Sequence, residues 1–183
     1  MHSLQGHFLV AAPHQLDPNF VQTVVLVVKH SDQGAFGLII NCRREPHDVM
    51  QWQNKARRRG FKKTEIYFGG PVTGPLMALH CHRLLGEIEI LPGLFFSGIE
   101  ENVFAVMRQR QSNCRIFVGY TGWGPQQLEY EIEQGVWRSI EATAERVFSA
   151  SEDVWDELHY KAVEILFQGL FHLTNIPLDP LLN

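Results

Sequence analysis

The segment His80-Cys81-His82 has the residue types and spacing of a partial metal site. In a β-strand, alternate side chains point to the same face, so His80 and His82 would lie side by side. A zinc site needs three or four protein ligands, and two imidazoles do not complete the set. The remaining ligands would have to come from His7, His30, Cys42 or Cys114. We therefore predict no metal and no other cofactor, and interpret the pair as partly exposed strand histidines beside a buried thiol.

Nucleophilic catalysis would need an activated serine or cysteine beside a base. The chain contains no Gly-x-Ser-x-Gly turn, and its cysteines lie in or beside apolar segments, where a thiol is usually unreactive. Asp17, His30 and Asn41 are candidates to converge in space. His30, Asn41 and His80 are the polar groups of one alternative function, an enzyme or small-molecule-binding site. In the other interpretation, His30 and Asn41 hold the turns that flank one strand.

A glycine-rich turn surrounds Trp123 and follows the apolar strand 115–118. Glycines at positions 119, 122 and 124 permit backbone conformations closed to other residues. Pro125 suits the first position of a helix. We therefore predict a tight strand-to-helix turn with Trp123 at its apex. Such a turn is typical either of a rigid structural corner or of a binding loop.

A second glycine turn, 69–71, follows another predicted strand and lacks the Gly-Lys-Ser/Thr sequence of a phosphate-binding loop. We predict that the two turns form a binding surface anchored by Trp123, because tryptophan often dominates such surfaces. The candidate residues for binding are Trp123, Gly122, Gly124, Gln127, Glu129, Gly69, Gly70, His30, Asn41 and His80.

Charge is unevenly distributed along the chain, although the net charge is only −4. Residues 43–63 hold eight Lys or Arg and two acids, whereas residues 125–183 hold eleven acids and three bases. The basic segment is a weakly supported candidate for contacts with DNA phosphates, since the chain is not basic overall and has no recognisable nucleic-acid-binding motif. In the alternative interpretation, it is a solvated helix face that pairs with the acidic C-terminal helix. The candidate nucleic-acid residues are Arg57, Arg58, Arg59, Lys62 and Lys63.

Length and composition indicate a single soluble domain spanning residues 1–183. The chain is 45% hydrophobic and 20% charged, as is ordinary for a globular protein. Three scattered cysteines favour a reduced, cytoplasmic setting. Neither a signal peptide nor an apolar run of about 20 residues is found, so we expect no membrane association. The partner is expected to be an unidentified protein or small molecule.

The apolar pattern predicts strands and helices in irregular order, which favours an α+β fold. Two runs predict strands that form a hairpin: 21–28, which is almost all β-branched or apolar, and 35–41. Further strands are predicted at 64–68, 115–118, 76–82 and 87–91, the last two paired with each other. Helices are predicted at 48–59, 100–110 and 125–135, followed by a long helix capped by Ser149 and Glu152. Its core stripe is formed by Trp155, Leu158, Ala162 and Ile165.

Four blocks of this sequence, in the same order, resemble the YqgE/AlgH family. The blocks are 7–11 with Asp17 and Phe20; His30 with 34–41; 69–72 with Leu79 and His80; and 119–125 with 127–129. The chain departs from the family pattern at 73–77, at 42–46, and at Gln126, which stands where a glycine is usual.

The resemblance implies an α+β fold in which a split, mostly antiparallel sheet wraps around a buried helix, with flanking helices. It implies a bacterial, cytoplasmic protein. The family carries the label of a transcriptional regulator, through alginate control in one branch, and has no established reaction. We therefore expect a non-enzymatic regulatory or interaction module.

Overall fold

One sheet of nine strands organises the part of the chain that the structure describes. The computed structural model describes residues 3–42, 49–61, 65–109 and 113–174, with side chains omitted at 49 and 166–174. The strands are β1 (His7–Ala11), β2 (Val24–Ser31), β3 (Gly34–Ile39), β4 (Ile66–Phe68), β5 (Val72–His80), β6 (Ile88–Leu91), β7 (Leu94–Ser97), β8 (Cys114–Trp123) and β9 (Trp137–Glu141). Their order is β6-β7-β5-β8-β3-β2-β1-β9, and β4 pairs with β8 outside this path.

Strand β2 lies inside the sheet because its sequence suits burial on both faces. Residues 24–28 are all valine or leucine and all buried, as expected for a strand covered on both sides. It pairs antiparallel with β1 and with β3. The predicted hairpin of β2 and β3 is therefore confirmed.

Strand β8 belongs to both halves of the sheet. Its last residues, 121–123, pair antiparallel with β3. Its earlier residues pair antiparallel with β5 and, at 116–118, parallel with β4. The sheet therefore branches along β8, which confirms the predicted α+β fold with a split, mostly antiparallel sheet.

Five α-helices are described: α1 (Val49–Arg58), α2 (Glu100–Arg108), α3 (Gln127–Glu133), α4 (Ala144–Ser149) and α5 (Val154–Thr174). Helix α2 buries Val103, Phe104 and Val106 in a cluster with β5 and β8 residues. Helix α5 packs on β1, and the indole of Trp155 donates a hydrogen bond to the carbonyl of Ala11 at 2.8 Å. None of the described helices has both the length and the apolar character to cross a bilayer.

Two predictions about local structure are wrong. The predicted pair 76–82 with 87–91 does not form, because β7 folds back from β6 at Gly93 and lies between β6 and β5. Ser149 does not cap α5, because it is the last residue of α4, whose own cap is Thr143. In the predicted stripe of α5, Trp155, Leu158 and Ala162 are buried, whereas Ile165 is exposed.

Candidate functional site

The two glycine turns pack against each other through their backbones. A Cβ added at Gly69 would lie 2.2 Å from the carbonyl oxygen of Gly119. A Cβ added at Gly119 would lie 2.3 Å from the carbonyl oxygen of Gly70. The amide of Gly69 also donates to the carbonyl of Val118 at 2.9 Å. These contacts fill the space between the turns, so the binding surface that we predicted between them does not form there.

Trp123 does not stand at the apex of a turn. Strand β8 continues through the glycines to Trp123, and the residue is only 7% exposed. The turn to α3 follows at 124–126, where Gln126 adopts a positive φ of 62°. Trp123 is therefore a buried residue at the strand end, because β3 pairs with this part of β8 and extends it.

The carboxylate of Glu131 on α3 holds two indoles in place. The Nε1 groups of Trp123 and Trp137 each donate to the same oxygen, Oε2, at 2.8 Å. Their rings pack edge to face with centroids 6.1 Å apart. The second oxygen, Oε1, accepts from the Gln127 amide at 2.9 Å. We call these four side chains the Glu131 network; it joins β8, α3 and β9 at one end of the sheet.

A cleft of about 310 Å³ lies beside the Glu131 network. We call it the Trp cleft. Its lining residues are Gln15, Asp17, Phe20, Gly122, Trp123, Gln127, Glu131, Val136 and Trp137. Within the part of the chain that the structure describes, this lining holds two carboxylates and no lysine or arginine, so these residues give it negative charge. The loop that carries Asp17 also exposes Leu16, at 89%, to solvent.

His30 binds the N-terminal segment and α3 together. Its Nδ1 accepts a hydrogen bond from the amide of Leu4 at 2.9 Å, so the proton of the neutral ring must be on Nε2. That Nε2–H donates to Glu129 Oε1 at 2.8 Å. Both ring nitrogens of this buried residue are engaged, and both it and Glu129 act here as structural links.

Asn41 lies far from His30, at the opposite end of the β2–β3 hairpin. Its Oδ1 accepts from the Val24 amide at 2.8 Å, and its Nδ2 donates to the Gln22 carbonyl at 2.9 Å. Six strand residues separate Val24 from His30, which corresponds to about 20 Å. The alternative site formed by His30, Asn41 and His80 is therefore not assembled, since His80 belongs to β5 in the other half of the sheet. Asn41 instead holds the chain at the start of β2 through these two hydrogen bonds, which agrees with the interpretation that it supports a turn beside a strand.

His80 and Ser97 form a buried pair that resembles a catalytic dyad but lacks its proton arrangement. The amide of His82 donates to His80 Nδ1 at 3.1 Å, so the proton is on Nε2 and is donated to Ser97 Oγ at 2.9 Å. The Ser97 hydroxyl in turn donates to the Leu85 carbonyl. The imidazole is thus a donor to the hydroxyl and cannot act as its base. Burial, with the neighbouring His82, lowers the pKa of His80 to about 4.

The expected geometry of His80-Cys81-His82 is corrected by the structure. Strand β5 ends at His80, which is fully buried, whereas Cys81 is exposed. His82 lies beyond the strand, at the start of a short 3₁₀ turn, yet its ring still lies beside that of His80, with the centroids 6.3 Å apart. Among the described residues, no group of three or more His, Cys, Asp or Glu could hold a metal ion. Burial raises the pKa of the Cys114 thiol, which disfavours the reactive thiolate.

The basic residues of α1 are partly neutralised by α2. Lys55 and Arg59 both pair with the carboxylate of Glu100, and Arg59 also lies over the ring of Phe104 at 4.2 Å. Their partner is thus α2 and not the C-terminal helix that we had predicted. Arg57 and Arg58 are exposed. Lys62 and Lys63 lie outside the described residues.

Sequence reasoning missed Glu131 and Trp137, the centre of the Glu131 network. A local signal for Glu131 exists, because Gln127 and Glu131 are four residues apart and face each other on a helix. No comparable local signal links Trp137 to Trp123, because they meet only when β9 and β8 are placed in the same sheet.

Comparison with known proteins is consistent with this architecture. Residues 8–164 match the family model described as AlgH-like. A UPF0301 protein of Myxococcus xanthus is 37% identical over 163 residues, covering 85% of this chain and 89% of the relative. A UPF0301 protein of Chlorobaculum tepidum is 31% identical over 186 residues, covering 97% of this chain and 95% of the relative. The chain therefore belongs to the AlgH-like family.

Two solved structures share this fold. The solution structure of the AlgH protein from Pseudomonas aeruginosa superposes with a TM-score of 0.67 at 32% identity, covering 95% of this chain and 94% of that one. The crystal structure of protein DIP2367 from Corynebacterium diphtheriae gives a TM-score of 0.66 at 24% identity, with 84% of each chain covered. The second likeness concerns the fold alone.

Proposed function

We propose that this chain is a non-catalytic interaction module that receives one side chain of a protein partner in the Trp cleft. The observation that carries the proposal is the Glu131 network, which fixes two aromatic rings at the floor of an open cleft. Interfaces draw much of their affinity from aromatic residues in preformed pockets. A volume of about 310 Å³ is at the lower limit for small-molecule sites, and suits a single side chain better than a whole ligand.

Two further features support a protein partner. Leu16 stands in the chain between the lining residues Gln15 and Asp17 and is exposed, so it is available for apolar contact with a partner. The best candidates for catalysis, His30 and the His80–Ser97 pair, are engaged in internal hydrogen bonds. A regulatory role in the bacterial cytoplasm is part of this proposal, and the free thiols of the three cysteines suit a reducing compartment.

The test is site-specific photo-crosslinking in living cells. A benzophenone amino acid replaces Leu16, which lies between the lining residues Gln15 and Asp17. The matched control replaces Leu84, which is 99% exposed in the 3₁₀ turn between β5 and β6. We expect a discrete protein adduct from position 16 that position 84 does not give, identified by mass spectrometry. Absence of an adduct at position 16, or identical adducts from both positions, would contradict the proposal.

A further inference from the structure

The acceptor groups of the Trp cleft define the chemistry of the side chain that it receives. Glu131 and Asp17 both line the cleft, and a carboxylate offers about four acceptor positions. Glu131 uses three of them, two on Oε2 and one on Oε1. From the described residues, Asp17 accepts hydrogen bonds only at Oδ1, from the backbone and side-chain nitrogens of Asn19. Oδ2 of Asp17 and one position on Glu131 therefore remain for a donor from outside.

The charge of the cleft favours a cationic side chain from the partner. The described residues that line the cleft include the carboxylates of Asp17 and Glu131 and no lysine or arginine. An anionic side chain would be repelled, and a neutral one would leave both carboxylates without a counter-charge. A cation gains from both carboxylates and from the aromatic lining residues Phe20, Trp123 and Trp137, since the face of an aromatic ring attracts a cation.

Guanidinium fits this set of groups better than ammonium does. A planar guanidinium presents five N–H donors in a fixed arrangement and stacks on aromatic rings, whereas an ammonium is a compact, strongly hydrated charge. We propose that the Trp cleft binds an arginine side chain of the partner, with the guanidinium donating to Asp17 and Glu131. This inference rests on the proposed function and specifies the residue that the partner supplies.

The experiment is an NMR titration that follows the indole N–H signals of the four tryptophans. The probes are the capped tripeptides Ala-Arg-Ala, Ala-citrulline-Ala and Ala-Lys-Ala; citrulline has the shape of arginine without its charge. We expect the arginine peptide to shift the signals of Trp123 and Trp137 in a saturable manner. Trp52 on α1 and Trp155 on α5 are internal controls that should not move.

Asp17→Asn tests the assignment without touching the Glu131 network. An asparagine keeps the Oδ1 acceptor for Asn19 and removes the charge, so the local turn is preserved. We expect the affinity for the arginine peptide to fall by about three- to tenfold. The matched control is Asp153→Asn, an exposed aspartate outside the cleft, which should leave the affinity unchanged.

Several results would overturn the arginine assignment: no shift with any peptide, equal shifts with citrulline, equal affinity for lysine, or an unaffected Asp17→Asn variant. The two proposals fail in distinguishable ways. If position 16 crosslinks a partner but the arginine peptide does not bind, the interaction function stands and the ligand chemistry is wrong. If neither result is obtained, both proposals are refuted.

Discussion

The carboxylate of Glu131 accepts three hydrogen bonds, two from indoles and one from an amide. No neutral side chain of the same size can accept all three, because one end of a glutamine is a donor. Removing an acceptor from a partly buried donor costs about 1–3 kcal/mol. Orientation of Trp123 and Trp137 in the Trp cleft therefore depends on the charge state and position of one side chain.

We predict that Glu131→Gln lowers the free energy of unfolding by about 1–3 kcal/mol, measured by urea denaturation with tryptophan fluorescence. The matched control is Glu133→Gln, on the same helix but exposed, which should change stability by less than about 0.5 kcal/mol. Equal effects of the two substitutions would show that the Glu131 network contributes nothing specific.

His80 makes the stability of the fold depend on pH. Its pKa falls from the usual value near 6.5 to about 4 because the ring is buried, with a smaller contribution from His82 and an opposing one from Glu87. The unfolded state therefore binds more protons between these values, and stability decreases as the pH falls. The full loss from this group is about 3 kcal/mol, reached below pH 4.

We predict that wild type exceeds His80→Gln in stability at pH 7.5 and that this difference shrinks as the pH falls towards 4, measured by urea denaturation at each pH. The other titratable groups are the same in both proteins, so their contribution cancels in the difference between the two free energies of unfolding. His14→Gln, a change at an exposed histidine, is the control. A stability difference that stays constant with pH would contradict the role assigned to His80.

At the scale of elements, the two glycine turns meet through a close contact between their backbones. Gly119 has a φ of 75°, and an added Cβ would lie 2.3 Å from the Gly70 carbonyl oxygen. Gly93 has a similar φ of 81° but nothing within 4 Å of its added Cβ. Both positions therefore need a residue that tolerates a positive φ, but only Gly119 has no room for a side chain.

We predict that Gly93→Ala costs about 1–2 kcal/mol, the cost of a left-handed alanine, and that Gly119→Ala costs several kcal/mol more because the strands must separate. Thermal unfolding of the two purified variants measures the difference. If both variants unfold at the same temperature, the close approach of the two backbones does not restrict position 119 to glycine.

The parts of the fold that the sequence predicted are those with local signals. Residues 24–28 are apolar on both strand faces, and Gly60 ends α1 with a positive φ of 93°. By contrast, β9 is a strand only because it pairs with β1 from the other end of the chain. Of the residues that line the Trp cleft, the sequence pointed to Gly122, Trp123 and Gln127. It missed Trp137, because Trp123 and Trp137 come together through the sheet and not through sequence spacing.

At the scale of the molecule, the net negative charge argues against the alternative function of DNA binding. The net charge is −4, and Glu100 engages two of the basic residues of α1. We predict no measurable affinity for duplex DNA at roughly 50 mM salt, where phosphate contacts are strong, by fluorescence anisotropy. Glu100→Gln releases Lys55 and Arg59 and is the sensitised control. Salt-dependent binding that this variant strengthens would restore the DNA alternative.

The shared strand β8 also has a consequence for synthesis. Strands β1, β2 and β3 leave the ribosome first, but the neighbours of their outer edges, β8 and β9, follow only after residue 113. Until then, the growing chain carries an apolar three-stranded ribbon with two unpaired edges, the arrangement that recruits other chains into aggregates. A truncated product that ends before residue 114 would keep both edges unpaired, so we expect it to aggregate.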